Sequence, residues 1–192
     1  MKELKEKWIK LIKRCGWRLI LPEEGSRREM ERCIFVVAPH TSSLDFVTGA
    51  AYLWACCPNG KVLMKKELFW WPLGWFLRKV GGIPVDRKSR DNGIIATAVR
   101  EFAKGEPLSI AITPEATRKP TDKWNRGFWL IAKRAKVPIV PTYIDFEKKE
   151  IGAFDTIEPS DDYEADLKKI RSLYKARMAK HPEDFIELKE QE

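Results

Sequence analysis

His40 and Asp45 stand five positions apart in the stretch Ala38-Pro39-His40-Thr41-Ser42-Ser43-Leu44-Asp45-Phe46. An imidazole is the side chain best suited to moving a proton near neutral pH, and a carboxylate in reach fixes its tautomer and steadies the imidazolium. Such a pair can take the proton of a hydroxyl as that hydroxyl attacks an acyl thioester. His40 is one of two histidines in the chain. The stretch has a second reading. Ser42-Ser43-Leu44-Asp45 also fits a capping box, in which Asp45 reaches back to the start of a helix. Local pattern alone leaves the two readings level.

The flanks position the pair. Cys33 to Ala38 is a β-branched, apolar run that reads as a buried strand, and Phe46 to Cys57 is apolar and long enough for a helix. The histidine and the acid therefore fall on a strand-to-helix turn, where α/β folds commonly place their chemistry. Two more polar segments lie beside apolar strands. One is Gly81-Gly82-Ile83-Pro84-Val85-Asp86-Arg87; the other is Thr113-Pro114-Glu115-Ala116-Thr117-Arg118, after a strand over Leu108–Ile112. If the strands are neighbours, the three turns converge on one cleft that holds His40, Asp45, Arg87 and Arg118. Guanidinium groups bind phosphate bidentately, so two of them suit a phosphorylated substrate. Each arginine taken alone is more often an ordinary surface ion pair; both lying in turns, in fixed order with the histidine motif, weakens that account.

Around these turns the chain alternates strands and helices. Met1 to Leu21 carries seven basic residues against two acids, with Leu4, Trp8, Leu11, Ile12 and Cys15 at helical spacing. This predicts a basic amphipathic helix, ended by Pro22 and Gly25, that either lies in a lipid headgroup layer or packs on the domain. Lys61 to Met64 reads as a short strand running into Lys65-Lys66. Leu68 to Leu77 is the most aromatic piece, with Trp70, Trp71 and Trp75. It is too short to cross a bilayer and is interrupted by Pro72 and Gly74, so it suits an interfacial segment or the cap of a lipid tunnel, with core packing as the competing account. Ser89 is expected to cap a helix running to Lys104. A helix over Arg126–Lys136, a strand over Val137–Ile144 and an edge strand over Lys149–Phe154 follow. Last comes a helix opened by Asp161-Asp162, with Leu167, Ile170, Tyr174 and Met178 on one face.

The alternation predicts one α/β domain, a mixed, mostly parallel sheet flanked by helices, over residues 22–192, preceded by the amphipathic helix over 1–21. With 192 residues and 44% hydrophobic side chains the chain can bury a sizeable core. The net charge of +8 favours an anionic partner, and 8 tryptophans favour a membrane interface over nucleic acid. No apolar run approaches the roughly 20 residues that span a bilayer, and no secretory signal is evident. The expected location is the cytoplasm, peripheral on the cytosolic face of a membrane. Cys15, Cys33, Cys56 and Cys57 lack paired metal-ligand spacing, so no metal is expected and most are read as reduced core residues.

The motifs resemble the glycerolipid acyltransferase family, typified by 1-acylglycerol-3-phosphate acyltransferase. The family's first block is His, four residues, Asp, matched by His40 and Asp45. Its second is Gly-x-Ile-x-x-x-Arg, matched by Gly81, Ile83 and Arg87. Its third, Pro-Glu-Gly-Thr-Arg, is here Pro114-Glu115-Ala116-Thr117-Arg118. Its fourth, an apolar strand with prolines, is matched by Val137-Pro138-Ile139-Val140-Pro141. The match runs over roughly residues 33–145, and four blocks in order are a far stronger signal than one. Ala116 departs from the family's glycine, which puts the fine geometry of the phosphate site in question.

The resemblance implies a glycerol-phosphate acyltransferase-like fold and acyl transfer from coenzyme A or acyl carrier protein to a lysophospholipid, 1-acylglycerol-3-phosphate foremost. Another lysolipid acceptor is the first alternative. A non-catalytic basic module for nucleic acid or anionic lipid is the second, although nucleic acid is not the expected partner. His40 would be the general base and Asp45 its orienter. Arg87, Glu115, Thr117, Arg118 and Lys65 would bind substrate, and Trp8, Trp70, Trp71 and Trp75 would contact an anionic membrane surface. No bound cofactor is implied; the acyl thioester is a co-substrate.

Overall fold

A computed structural model describes residues 2–23, 30–85 and 92–188. Its centre is strand β2 (Ile34–Ala38), every residue of which is buried. β2 is sandwiched by parallel neighbours on both sides, which is why it reads as an unbroken apolar run rather than an alternating one. The other strands are β1 (Arg18–Leu19), β3 (Lys61–Lys65), β4 (Gly82–Val85), β5 (Ile110–Ile112), β6 (Ile139–Asp145) and β7 (Glu150–Ala153). They form one sheet in the order β1-β7-β6-β2-β5-β3-β4. All the pairings between these strands are parallel except β6 with β7. Phe35 of β2 lies opposite Val140 of β6 on one side and Ala111 of β5 on the other.

Side chains of β2 alternate between two cores, as strand geometry requires. Ile34, Val36 and Ala38 join a core with Phe102, Phe128, Ile170 and Tyr174. That face is covered by helices α4 (Asn92–Ala103), α5 (Gly127–Ala135) and α6 (Tyr163–Ser172). Cys33, Phe35 and Val37 join the opposite core with Tyr52, Leu53, Trp54 and Leu77. Here the cover is α1 (Lys2–Arg14), α2 (Leu44–Cys56) and α3 (Leu73–Lys79). The expected single, mostly parallel α/β sheet flanked by helices, with a helix at its N-terminal side, is what the chain forms.

Five local expectations need correction. The first helix ends at Arg14, not at Pro22; Gly16 takes φ 86° and the chain then enters β1, alongside β7. β7 is therefore not an edge strand. Gly81 to Arg87 is not one turn, because Gly82 to Val85 is β4; Arg87 and Ser89 lie outside the described residues. The last helix stops at Ser172, so Tyr174 and Met178 pack from beyond its end.

Trp8 is the fifth. Expected at a membrane, it points inward: its indole N–H donates to the Val47 carbonyl at 2.9 Å, and its ring meets Trp54 edge-on with centroids 6.3 Å apart. Ile12 beneath it is buried, whereas Leu4 and Leu11 are exposed. The inward stripe of α1 is rotated from the predicted one to include Ile9 and Lys5, whose Nζ donates to the Pro58 carbonyl at 2.6 Å. Among the described residues no helix is long and apolar enough to cross a membrane.

Candidate active site

β2 and β5 are adjacent and parallel, so their carboxyl ends open on the same edge of the sheet. The turn after β2 carries His40 and the turn after β5 carries residues 113–118. This juxtaposition brings two of the sequence motifs together.

His40 Nδ1 lies 3.0 Å from Asp45 Oδ2. A buried carboxylate accepts, so the proton sits on Nδ1 and Nε2 is left as the basic nitrogen. Asp45 is 3% exposed. The same Oδ2 accepts the Ser42 backbone N–H at 2.8 Å, and the Leu44 N–H donates to Ser42 Oγ at 3.2 Å. The two readings of this stretch are thus one structure. The acid that closes the first turn of α2 is also the acid that orients the imidazole, and α2 fixes it where rotation would break both bonds.

Glu115 corrects an expectation. It was assigned to the substrate, yet it is buried beneath the histidine turn, and both carboxylate oxygens stand 3.2 Å from the His40 backbone nitrogen, whose N–H they accept. Burial pushes its carboxyl up to about 7, against the pull of that N–H. Glu115 holds the backbone that holds the ring. Ala116 then adopts φ 53°, the left-handed region that favours glycine. Alanine takes this conformation at a steric cost that glycine would not incur. Beyond this reversal Thr117 and Arg118 line the cavity, and Arg118 Nη1 donates to Ser43 Oγ.

The cavity has a volume of about 660 Å³. His40, Ser43, Lys65, Thr117 and Arg118 give it a polar, cationic side. Phe35, Tyr52, Leu53, Met64 and Leu77, all buried, give it an apolar side between the sheet, α2 and α3. Such a site matches a ligand with an anionic head and an apolar tail. Of the expected substrate residues, Lys65, Thr117 and Arg118 reach it, Glu115 does not, and Arg87 lies outside the described residues.

Sequence reasoning missed the braces around these turns. The Asn125 N–H and Nδ2 both donate to the Pro114 carbonyl, at 2.8 and 3.0 Å. The His181 N–H donates to Thr41 Oγ1 at 3.2 Å, tying a segment 140 positions away to the histidine turn. Buried Tyr174 donates to the Val36 carbonyl at 2.7 Å and accepts the Thr142 N–H at 3.1 Å. No local pattern marks such residues, because each partner is distant in sequence. None of the four cysteines forms a disulfide, and burial holds the Cys33 thiol far above its ordinary range, unfit as a nucleophile. Among the described residues, no cluster of three or more His, Cys, Asp or Glu could hold a metal ion.

Comparison with known proteins adds three observations. A model of the acyltransferase family matches residues 22–145. A 1-acyl-sn-glycerol-3-phosphate acyltransferase of Bacillus subtilis is 38% identical over 83 residues, 41% of this chain and 40% of its own length. One of Streptococcus pneumoniae is 35% identical over 108 residues, 55% of this chain and 39% of its own length. The matched stretches thus span about two-fifths of these relatives. The crystal structure of the 1-acyl-sn-glycerophosphate acyltransferase PlsC from Thermotoga maritima superposes with a TM-score of 0.62 at 19% identity, covering 88% of this chain and 76% of that one. At that identity the likeness speaks to the fold.

Proposed function

The chain belongs to the acyltransferase family, and from that membership we propose that it moves a fatty acyl group from an acyl thioester to the free hydroxyl of a lysophospholipid, with 1-acylglycerol-3-phosphate as the acceptor. The observation that carries this reading is the His40–Asp45 pair, 3.0 Å apart, at a cavity that is cationic on one side and apolar on the other.

In this reading His40 Nε2 takes the hydroxyl proton as the oxygen attacks the thioester carbonyl. Asp45 Oδ2 accepts Nδ1–H throughout and steadies the imidazolium that forms. The new C–O bond is made, the C–S bond breaks, and the departing thiolate recovers the proton from Nε2. Arg118, Thr117 and Lys65 face the acceptor's phosphate, the guanidinium as a two-pronged donor. The apolar wall receives an acyl chain. Glu115 acts one layer back, through the His40 backbone, and is a positioning residue. Both curated relatives carry the name of this activity. The thioester carrier, coenzyme A or acyl carrier protein, is a co-substrate and needs no resident cofactor.

The alternative of a different lysolipid acceptor rests on Ala116, which holds φ 53° beside Thr117 and Arg118, and on the short chain; competing lysolipids decide between the acceptors. A purely binding module would have no use for an oriented imidazole. The test is thioester-dependent acylation of lysophosphatidic acid by purified protein, with competing lysolipids in parallel. His40→Ala should lower turnover by roughly 100-fold or more. Equal rates for the two proteins would remove His40 from the chemistry.

A further inference from the structure

We propose that residues 68–79 are a docking surface for an anionic lipid bilayer, and that α1, though basic and amphipathic, is not. Trp70, Trp71 and Trp75 are 60%, 85% and 59% exposed, and Leu68 and Phe76 beside them are exposed too. Five large apolar side chains left in water within nine residues are not needed by the fold. The residues that are needed lie between them. Phe69, Leu73 and Leu77, spaced by four, pack into the core beneath α2. The same short segment thus has an anchored face and an outward aromatic face.

That outward face is held in shape. Gly74 donates its N–H to the Trp70 carbonyl at 2.6 Å, and a Cβ on Gly74 would sit 2.3 Å from the Phe69 carbonyl oxygen. Only glycine lets α3 begin this close to the preceding loop. The tryptophans are therefore presented by a tight backbone turn.

Charge and continuity select the occupant. Lys65, Lys66, Arg78 and Lys79 flank the aromatic run against a single acid, Glu67. The Lys79 Nζ sits 3.6 Å from the centre of the Trp75 ring, so cation and aromatic occupy one layer. Tryptophan with lysine and arginine at one level is the composition of a membrane–water interface, and the basic flanks favour anionic headgroups. Leu68 and Leu73 also line the cavity, so the surface that would enter the headgroup layer is continuous with the apolar wall of the site. A lipid could then pass from bilayer to cavity along apolar surface. α1 lacks this freedom, because Trp8 is hydrogen-bonded to α2 and Ile12 is buried.

The test is flotation of the full chain with phosphatidylcholine vesicles, with and without phosphatidylglycerol. Wild type should float with the anionic vesicles and release as salt is raised. Trp70→Ser/Trp71→Ser/Trp75→Ser should bind at least ~10-fold more weakly, with an unchanged melting temperature. Leu4→Ser/Leu11→Ser should float like wild type. Should the triple variant fold poorly, Trp71→Ser alone serves: brominated lipid chains should quench its emission less than that of wild type. The proposal is overturned if the tryptophan variants float normally, if the α1 variant alone loses binding, or if the chain ignores vesicles and forms a dimer that the tryptophan variants abolish. Flotation requires no acyl transfer, so a chain that binds vesicles yet transfers nothing would count against the proposed activity and not against this surface.

Discussion

α1 and the segment around α3 have the same ingredients, tryptophan, leucine and a surplus of lysine and arginine, yet the fold treats them oppositely. α1 has 13 residues, enough to lay a continuous stripe along α2. That contact half-buries Trp8 and holds its indole N–H; Ile12 is buried, and Leu4, Leu11 and most of the charges face out. α3 has only 7 residues, and with the loop before it gives the core three anchors, Phe69, Leu73 and Leu77, which leaves three tryptophans facing out. Composition sets how much apolar surface a segment owns. The neighbours set how much of it remains for a partner.

The comparison can be broken from either side. Trp8→Ala should destabilise the protein by roughly 3–4 kcal/mol, the loss of an aromatic contact and of a partner for the Val47 carbonyl; urea unfolding measures it, and a change below about 1 kcal/mol would mean that α1 is only loosely docked. The same rule separates Glu115 from Arg118, three positions on, one a buried strut and the other at the cavity. A carboxyl raised to about 7 favours the native state while protonated. Its contribution is fully present below about pH 4.5 and fades as the pH rises through about 7. Across that range the stability difference between wild type and Glu115→Gln should shift by on the order of 3 kcal/mol, with wild type losing ground as pH rises. A pH-independent difference would place Glu115 in solvent. Gly74→Ala should cost about 2 kcal/mol by forcing the Phe69 backbone aside. Trp71→Ala should change stability by no more than ~0.5 kcal/mol; a larger loss would show that this tryptophan belongs to the core after all.

Much of the site was legible because the chemistry is local. His40 and Asp45 are on one turn, and a strand before and a helix after fix their spacing. The cationic wall was legible in part. Arg118 faces the cavity, but Glu115 in the same motif faces the other way, because a left-handed residue, Ala116, stands between them. A string of letters does not carry a φ angle, and alanine gave no hint of one. Likewise the capping-box and imidazole-orienting readings of Asp45 are rivals in sequence, yet one oxygen atom meets both the Ser42 N–H and the His40 ring.

By itself the sequence determined the alternation of strands and helices, the order of the polar turns and the pairing of His40 with Asp45, because hydrophobic period and short-range spacing are written residue by residue. Tertiary structure alone decided that β5 lies beside β2, that β1 rather than β7 closes one edge, and which tryptophans stay in water. Those outcomes depend on which apolar face finds a partner first in space, and that competition is settled among segments tens of residues apart.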